Sequence, residues 1–179
     1  MARVKICGQT TSRDVEASVA AGADAVGVIV DVPVDTPREI DESKAAALLE
    51  RLPPFVTGVL VTMQDRPAAV SRLIEAVRPG AVQIHGDLDP AAVRTIAADS
   101  GIPVIAVVDV DSPHRIAELS DVVDAILLDS LDEQGGGGTG RTHDWTAARD
   151  IRDRIDVPLI LAGGWAPDNI GTLHVSSYL

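Results

Sequence analysis

Short runs of β-branched and aliphatic residues alternate along this chain with alanine-rich segments whose apolar positions recur at helical spacing. The runs at residues 4–7, 25–30, 56–61, 81–85, 103–108, 125–128 and 158–161 read as short buried strands. Between them, residues 12–21, 42–51, 67–77, 90–98, 114–119 and 145–154 read as helices. Ser12 is placed to cap the first, Val15 and Val19 share one of its faces, and Gly22 ends it. Pro53-Pro54 stop the second, and Pro67 suits the first turn of the third. Residues 167–172 start one more helix, and 174–177 read as a very short eighth strand.

Strand and helix alternate throughout at the spacing of βα units, and no proline-rich linker or low-complexity run divides the chain. Residues 1–179 are therefore expected to form a single domain. Seven or eight βα units either close into a barrel or spread into an open doubly wound sheet. The open sheet with a dinucleotide site wants GxGxxG after its first strand, and Cys7-Gly8-Gln9-Thr10 lacks it. A barrel instead distributes functional residues over many strand ends. Here Cys7, Asp31, His85, Asp109, Asp129, Gly163-Gly164 and Ser176-Ser177 all follow strands, which favours a (β/α)8 TIM barrel.

Composition narrows the class. The chain is 46% hydrophobic but 2% aromatic, so Val, Ile, Leu and Ala build its core, as in a parallel sheet buried on both faces. Its 27 acidic and 15 basic side chains give a net charge of −12, which argues against nucleic acid or an anionic membrane as partner. Lysine occurs only at Lys5 and Lys44, and the acidic balance suits a halophilic source, the alternative being an ordinary acidic cytosolic protein. One cysteine excludes an internal disulfide and suits the cytoplasm. No signal peptide and no membrane span are expected from the apolar runs.

The candidate chemistry starts at Cys7, the lone thiol, at the tip of the first strand, where it is a candidate base or nucleophile. The alternative is a small buried hydrophobe. Asp129 follows Ile126-Leu127-Leu128 and would point into a barrel mouth, unless it is an ordinary turn carboxylate. A thiol base and a carboxyl acid facing a sugar phosphate suit proton abstraction next to a carbonyl or imine. The run Gly135-Gly136-Gly137-Gly138-Thr139-Gly140-Arg141 exposes backbone N–H groups that can cradle an oxyanion, unless it is only a flexible loop. Gly163 and Gly164 after strand seven, with Ser176 and Ser177 after strand eight, occupy the usual phosphate position of such barrels. Arg38 suits a bidentate clamp on a carboxylate, and Gln83 and His85 suit the lining of the mouth. His114, His143 and His174 have no metal-ligand spacing with each other or with Cys7, so no metal is expected.

Taken in order, Lys5-Ile6-Cys7-Gly8, Gly22-Ala23-Asp24-Ala25-Val26-Gly27, Pro37-Arg38, Val82-Gln83-Ile84-His85-Gly86 and Leu127-Leu128-Asp129-Ser130 resemble the phosphoribosylanthranilate isomerase family of tryptophan biosynthesis. Gly137-Gly138-Thr139-Gly140-Arg141, Asp144-Trp145 and Leu161-Ala162-Gly163-Gly164 extend the resemblance to about residue 170. It implies a (β/α)8 barrel and an Amadori rearrangement of N-(5-phosphoribosyl)anthranilate to 1-(2-carboxyphenylamino)-1-deoxyribulose 5-phosphate. It implies Asp129 as general acid, Cys7 as general base and Arg38 at the anthranilate carboxylate. Gly163, Gly164, Ser176 and Ser177 would hold the phosphate, and no cofactor is required.

The C-terminus departs from the family pattern. Tyr178 stands where the family has glycine, and the stretch between Asp168 and His174 is too short for a parallel crossover. The expectation is a C-terminally shortened barrel, its eighth strand and last helices incomplete or missing, completed by a second copy in a homodimer if active. The competing expectation is an inactive barrel of the same family, serving as a binding or assembly module or as a remnant. A different sugar-phosphate barrel would want metal ligands or a catalytic lysine in its mouth.

Overall fold

The computed structural model describes residues 3–86, 89–109, 112–129 and 145–163. Thirteen elements alternate without exception among them: β1 (Lys5–Cys7), α1 (Ser12–Ala20), β2 (Ala25–Ile29), α2 (Glu42–Leu49), β3 (Thr57–Thr62), α3 (Pro67–Val77), β4 (Ala81–Ile84), α4 (Pro90–Ser100), β5 (Val104–Asp109), α5 (Pro113–Ser120), β6 (Ala125–Asp129), α6 (Trp145–Arg152) and β7 (Leu159–Leu161). All strand pairs are parallel, and the order in the sheet is β1-β2-β3-β4-β5-β6-β7. A doubly wound sheet reverses direction at a switch point. This curled sheet never does, so each helix returns the chain in the same sense to the next strand.

The period-2 alternation of the strands sorts their side chains into two cores. On the outer face Val26, Val28, Leu60, Val82, Ile84, Val104, Ala106, Val108, Ile126 and Leu128 pack with Val70, Leu73, Ile96 and Ile116 of the helices. On the inner face Val59, Val61, Ala81, Ile105, Val107, Ala125 and Leu127 form a second cluster of their own. Burial on both faces explains why the strands read as continuous apolar runs. Register carries the inner set from strand to strand through Cys7↔Gly27, Gly27↔Val59, Gln83↔Ile105 and Asp109↔Asp129. β1 and β7, at the ends of the described sheet, are more exposed than the five strands between them.

The elements follow the sequence pattern, with small shifts. Helix α1 is capped by Thr11 rather than Ser12: its side chain accepts from the Asp14 N–H, and the Asp14 carboxylate accepts from the Thr11 N–H, a reciprocal capping box. Helix α2 ends at Leu49, ahead of the prolines, and α4 runs on to Ser100 before Gly101 turns left-handed. Strands β5 and β6 extend one residue further than expected and take in Asp109 and Asp129. The expected helix start at 167–172, the strand at 174–177 and the glycine run 135–138 lie outside the described residues. Among the described residues no helix is long and apolar enough to cross a membrane.

Candidate active site

Cys7 closes β1 and is exposed, so the reading of a small buried hydrophobe is set aside. Its position depends on glycine at two places. Gly27 is its register partner on β2, and a Cβ built there would lie 2.9 Å from the Cys7 Sγ. The thiol therefore occupies the space that a side chain on Gly27 would fill. Gly8 takes φ +83, a left-handed conformation that costs a side-chain-bearing residue about 1–2 kcal/mol. That turn lets the N–H groups of Gly8 and Gln9 both donate to the Gly27 carbonyl, each at 2.9 Å. The buried Gln9 side chain then accepts from Ser18 Oγ of α1 at 3.1 Å, tying the turn to its own helix.

Arg38 comes to the same place from a distant loop. After β2 the chain doubles back, and Glu39 bridges to Ile29 while the Ile40 N–H donates to the Ile29 carbonyl at 3.0 Å. The aliphatic stem of Arg38 then lies over Gly8, where a Cβ would come within 2.7 Å of its Cδ. Cys7 and Arg38 thus flank one glycine, 31 residues apart in sequence but joined by the β1–β2 pairing.

The carboxyl comes from the same face of the sheet, five strands along the order, on β6. Asp129 ends β6 on the inner-face parity of Ala125 and Leu127 and is 8% exposed. Gln83 and His85 continue the inner-face row of Ala81 on β4, and both are buried. The His85 N–H donates to the Thr62 carbonyl at 2.9 Å. Gln83 Oε1 is buried and accepts no hydrogen bond among the described residues, a polar atom kept inside an otherwise aliphatic layer. Gly163, just past β7, has φ +81. Gly138, Gly140, Gly164, Ser176 and Ser177 lie outside the described residues.

Asp31, a strand-end aspartate by sequence, is not part of this group. Its backbone turns left-handed at φ 58, and its carboxylate lies 3.9 Å from Arg72 of α3, on the helix side. Glu42 holds the same guanidinium at 2.7 Å, and that hydrogen bond raises the affinity of Arg72 for its proton. The cavity beside this ion pair is lined by Val30, Asp31, Glu39, Ile40, Asp41, Glu42 and Ser43, away from the thiol. One residue that shapes the site, Gly27, is missing from the sequence-based site. Gly27 carries no functional group, and its one signal is glycine inside a strand, which marks a close approach. Asp109, legible as a strand-end aspartate, is the register partner of Asp129.

An exposed thiol, a buried carboxyl on the same sheet face and an arginine at the rim form a set fitted to move protons on an anionic substrate. Comparisons with known proteins show the family. Residues 4–177 match the family model described as N-(5'phosphoribosyl)anthranilate (PRA) isomerase. An N-(5'-phosphoribosyl)anthranilate isomerase of Halobacterium salinarum is 53% identical over 173 residues, covering 95% of this chain and 79% of the relative. The crystal structure of phosphoribosyl anthranilate isomerase from Thermotoga maritima superposes with a TM-score of 0.82 at 37% identity, over 96% of this chain and 82% of that one. A phosphoribosyl anthranilate isomerase in complex with reduced 1-(o-carboxyphenylamino)-1-deoxyribulose 5-phosphate gives 0.80 at 34% identity, over 96% and 80%. The fold, the strand-end residues and these likenesses converge: the chain belongs to the N-(5'-phosphoribosyl)anthranilate isomerase family.

Proposed function

We propose that this chain catalyses the Amadori rearrangement of N-(5-phosphoribosyl)anthranilate to 1-(2-carboxyphenylamino)-1-deoxyribulose 5-phosphate, a step of tryptophan biosynthesis. The observation that carries the reading is the shared inner face of Cys7 and Asp129 at the carboxyl ends of β1 and β6. In a βα-wound sheet that is the end where substrates bind. Family membership supplies the substrate class, and the bound product analogue of the solved relative fits the same chemistry.

Asp129 donates a proton to the ribose ring oxygen, and the C1–O bond breaks to give an open-chain Schiff base. Cys7, as thiolate, removes the proton from C2. The C–H electron pair moves into a C1–C2 double bond, and the imine pair returns to nitrogen. The enolamine then tautomerises to the aminoketose. The imine is its own electron sink, so the reaction needs no cofactor. Arg38 suits the anthranilate carboxylate, since its stem rests on Gly8 beside the base. Gln83 and His85 line the site, and Gly138, Gly140, Gly163, Gly164, Ser176 and Ser177 are the proposed contacts to the rest of the substrate, the last four to its phosphate. The whole is one (β/α)8-type domain over residues 1–179, at work in the cytoplasm and able to pair as a homodimer.

The test is loss of substrate fluorescence on conversion, followed with the purified chain at low and at molar salt. Cys7→Ser and Asp129→Asn should each lower kcat by about 10²–10⁴-fold while the circular dichroism spectrum is kept. A folded parent without turnover would favour the inactive family member. Full activity in either variant would remove that residue from its role.

A further inference from the structure

We propose that Gln9 and Ser18 are a positioning pair for the isomerisation, their buried hydrogen bond fixing the turn after Cys7 so that the thiol stays in line with the proton it removes. The inference rests on the reading of Cys7 as the general base. Six polar side chains are buried among the described residues: Gln9, Ser18, Thr62, Gln83, His85 and Asp129. Gln83, His85 and Asp129 stand on the inner face at the ends of β4 and β6. The Thr62 hydroxyl donates to the Asp31 carbonyl at 3.2 Å. Gln9 and Ser18 bond to each other, Ser18 Oγ donating to Gln9 Oε1 at 3.1 Å.

Neither residue is what its position would select for packing. Val15 and Ser18 are the two buried residues of α1, three apart on one face, where an aliphatic side chain fits and alanine favours the helix more. Serine or threonine within a helix ordinarily returns its hydroxyl to the backbone of the preceding turn. Thr95 does so to the Ala91 carbonyl at 3.0 Å, and Ser120 to that of Ala117 at 3.4 Å. Ser18 instead reaches nine residues back along the chain, to Gln9. A buried hydrogen bond adds little net stability, and an apolar pair of the same shape in its place is close to neutral. Stability alone therefore does not call for these two side chains. What the bond adds is direction, which aliphatic contact lacks.

Direction matters here because the base sits on a slight strand. β1 is three residues long, stands at the end of the described sheet and pairs there with β2 alone. Its Ile6 is 40% exposed, and Cys7 is exposed. Past the strand, the N–H groups of Gly8 and Gln9 share the Gly27 carbonyl, which ties the turn to β2. The Gln9 side chain ties the same turn to α1. Cys7 lies between its ladder partner Gly27 and this anchor two residues on, so its sulfur shifts only when one of the two gives. A reacting group misplaced by about 1 Å loses about 10²-fold in rate, and a loosened anchor loses part of that.

The experiment compares kcat, KM and melting temperature of the full chain with those of Ser18→Ala, Gln9→Leu and the double variant Gln9→Leu/Ser18→Ala. Each single change leaves one buried polar partner unpaired and should lower both the melting temperature and kcat. The double variant removes both partners together. Its melting temperature should return close to that of the parent, while kcat stays about 10-fold lower with KM within about twofold. Ser18→Thr keeps the hydroxyl and should keep the parental kcat. A double variant whose kcat recovers along with its melting temperature overturns the proposal and reduces the pair to a packing contact. Should the double variant stay destabilised or not fold, Ser18→Ala is assayed with substrate deuterated at C2. Slower removal of that proton should raise the isotope effect on kcat, which an unfolded fraction would leave unchanged. An isotope effect equal to the parent's, beside a lowered kcat, overturns the proposal. Full turnover in Cys7→Ser would instead overturn the general-base reading beneath it.

Discussion

Gly27 has no functional group, yet the position of the Cys7 thiol depends on it. Gly27→Ala would set a methyl 2.9 Å from the sulfur, which must move aside, while its 3.4 Å approach to the Cys7 Cα is ordinary contact. The variant is expected to lower kcat/KM by about 10²-fold, as the thiol is pushed off its line to the substrate. It should also cost about 1–3 kcal/mol of stability through overpacking, read by urea denaturation. Wild-type kinetics in Gly27→Ala would mean that the thiol position is not what the rate depends on. This contact marks the boundary of what the residues disclose by themselves. Cys7 as a strand-end thiol and Gly8 as a turn were legible in four consecutive letters, because both follow from local conformation. That Gly27 leaves room for Cys7, and that Arg38 lies over Gly8, depends on which strand pairs with which and on a loop that doubles back. No spacing in the sequence encodes either.

Among the elements, α1 shows how a boundary is set by more than one residue. Serine ranks above threonine as a capping type, so a single-residue reading selects Ser12. The spacing decides for Thr11, since Asp14 stands three residues on and closes the box. The Asp14 carboxylate also accepts from the Thr10 N–H and hydroxyl, and its pKa is lowered, chiefly by its bond to Thr11. A carboxylate whose folded pKa lies below its unfolded value near 3.8 adds stability above that value and loses it as pH falls through the folded one. Thr11→Ala removes the N-cap and should cost about 1 kcal/mol at neutral pH. Asp14→Asn should be less stable than the parent at pH 6, with the gap closing as both are titrated below pH of about 4. Urea midpoints across that range are the measurement, and a gap that persists at low pH would assign the loss to something other than the charge.

At the scale of the whole molecule, the alternation of strands and helices was legible throughout the described chain, because burial on two faces demands apolar runs and the helices between them keep helical spacing. The separation into an outer and an inner core was not, since both sets are aliphatic and parity alone divides them. The net charge of −12 belongs to this scale too, and a relative of 53% identity comes from the halophilic archaeon Halobacterium salinarum. Self-repulsion of that charge is screened as the Debye length contracts from about 10 Å at 0.1 M salt to about 3 Å at 1 M. The melting temperature should rise over that interval in potassium chloride, and a flat or falling curve would mean that the acidic surface is already balanced in place. Finally, the strands stand in space in the order in which they occur along the chain. Every pairing closes one short crossover, so the loop-closure entropy of each step is small. A strand leaving the ribosome meets a partner made only moments before, so within the described sheet each new edge is covered by the next strand, while the outer edge of β1 stays open throughout. Growth from the amino end can thus proceed one unit at a time, each addition templated by the last.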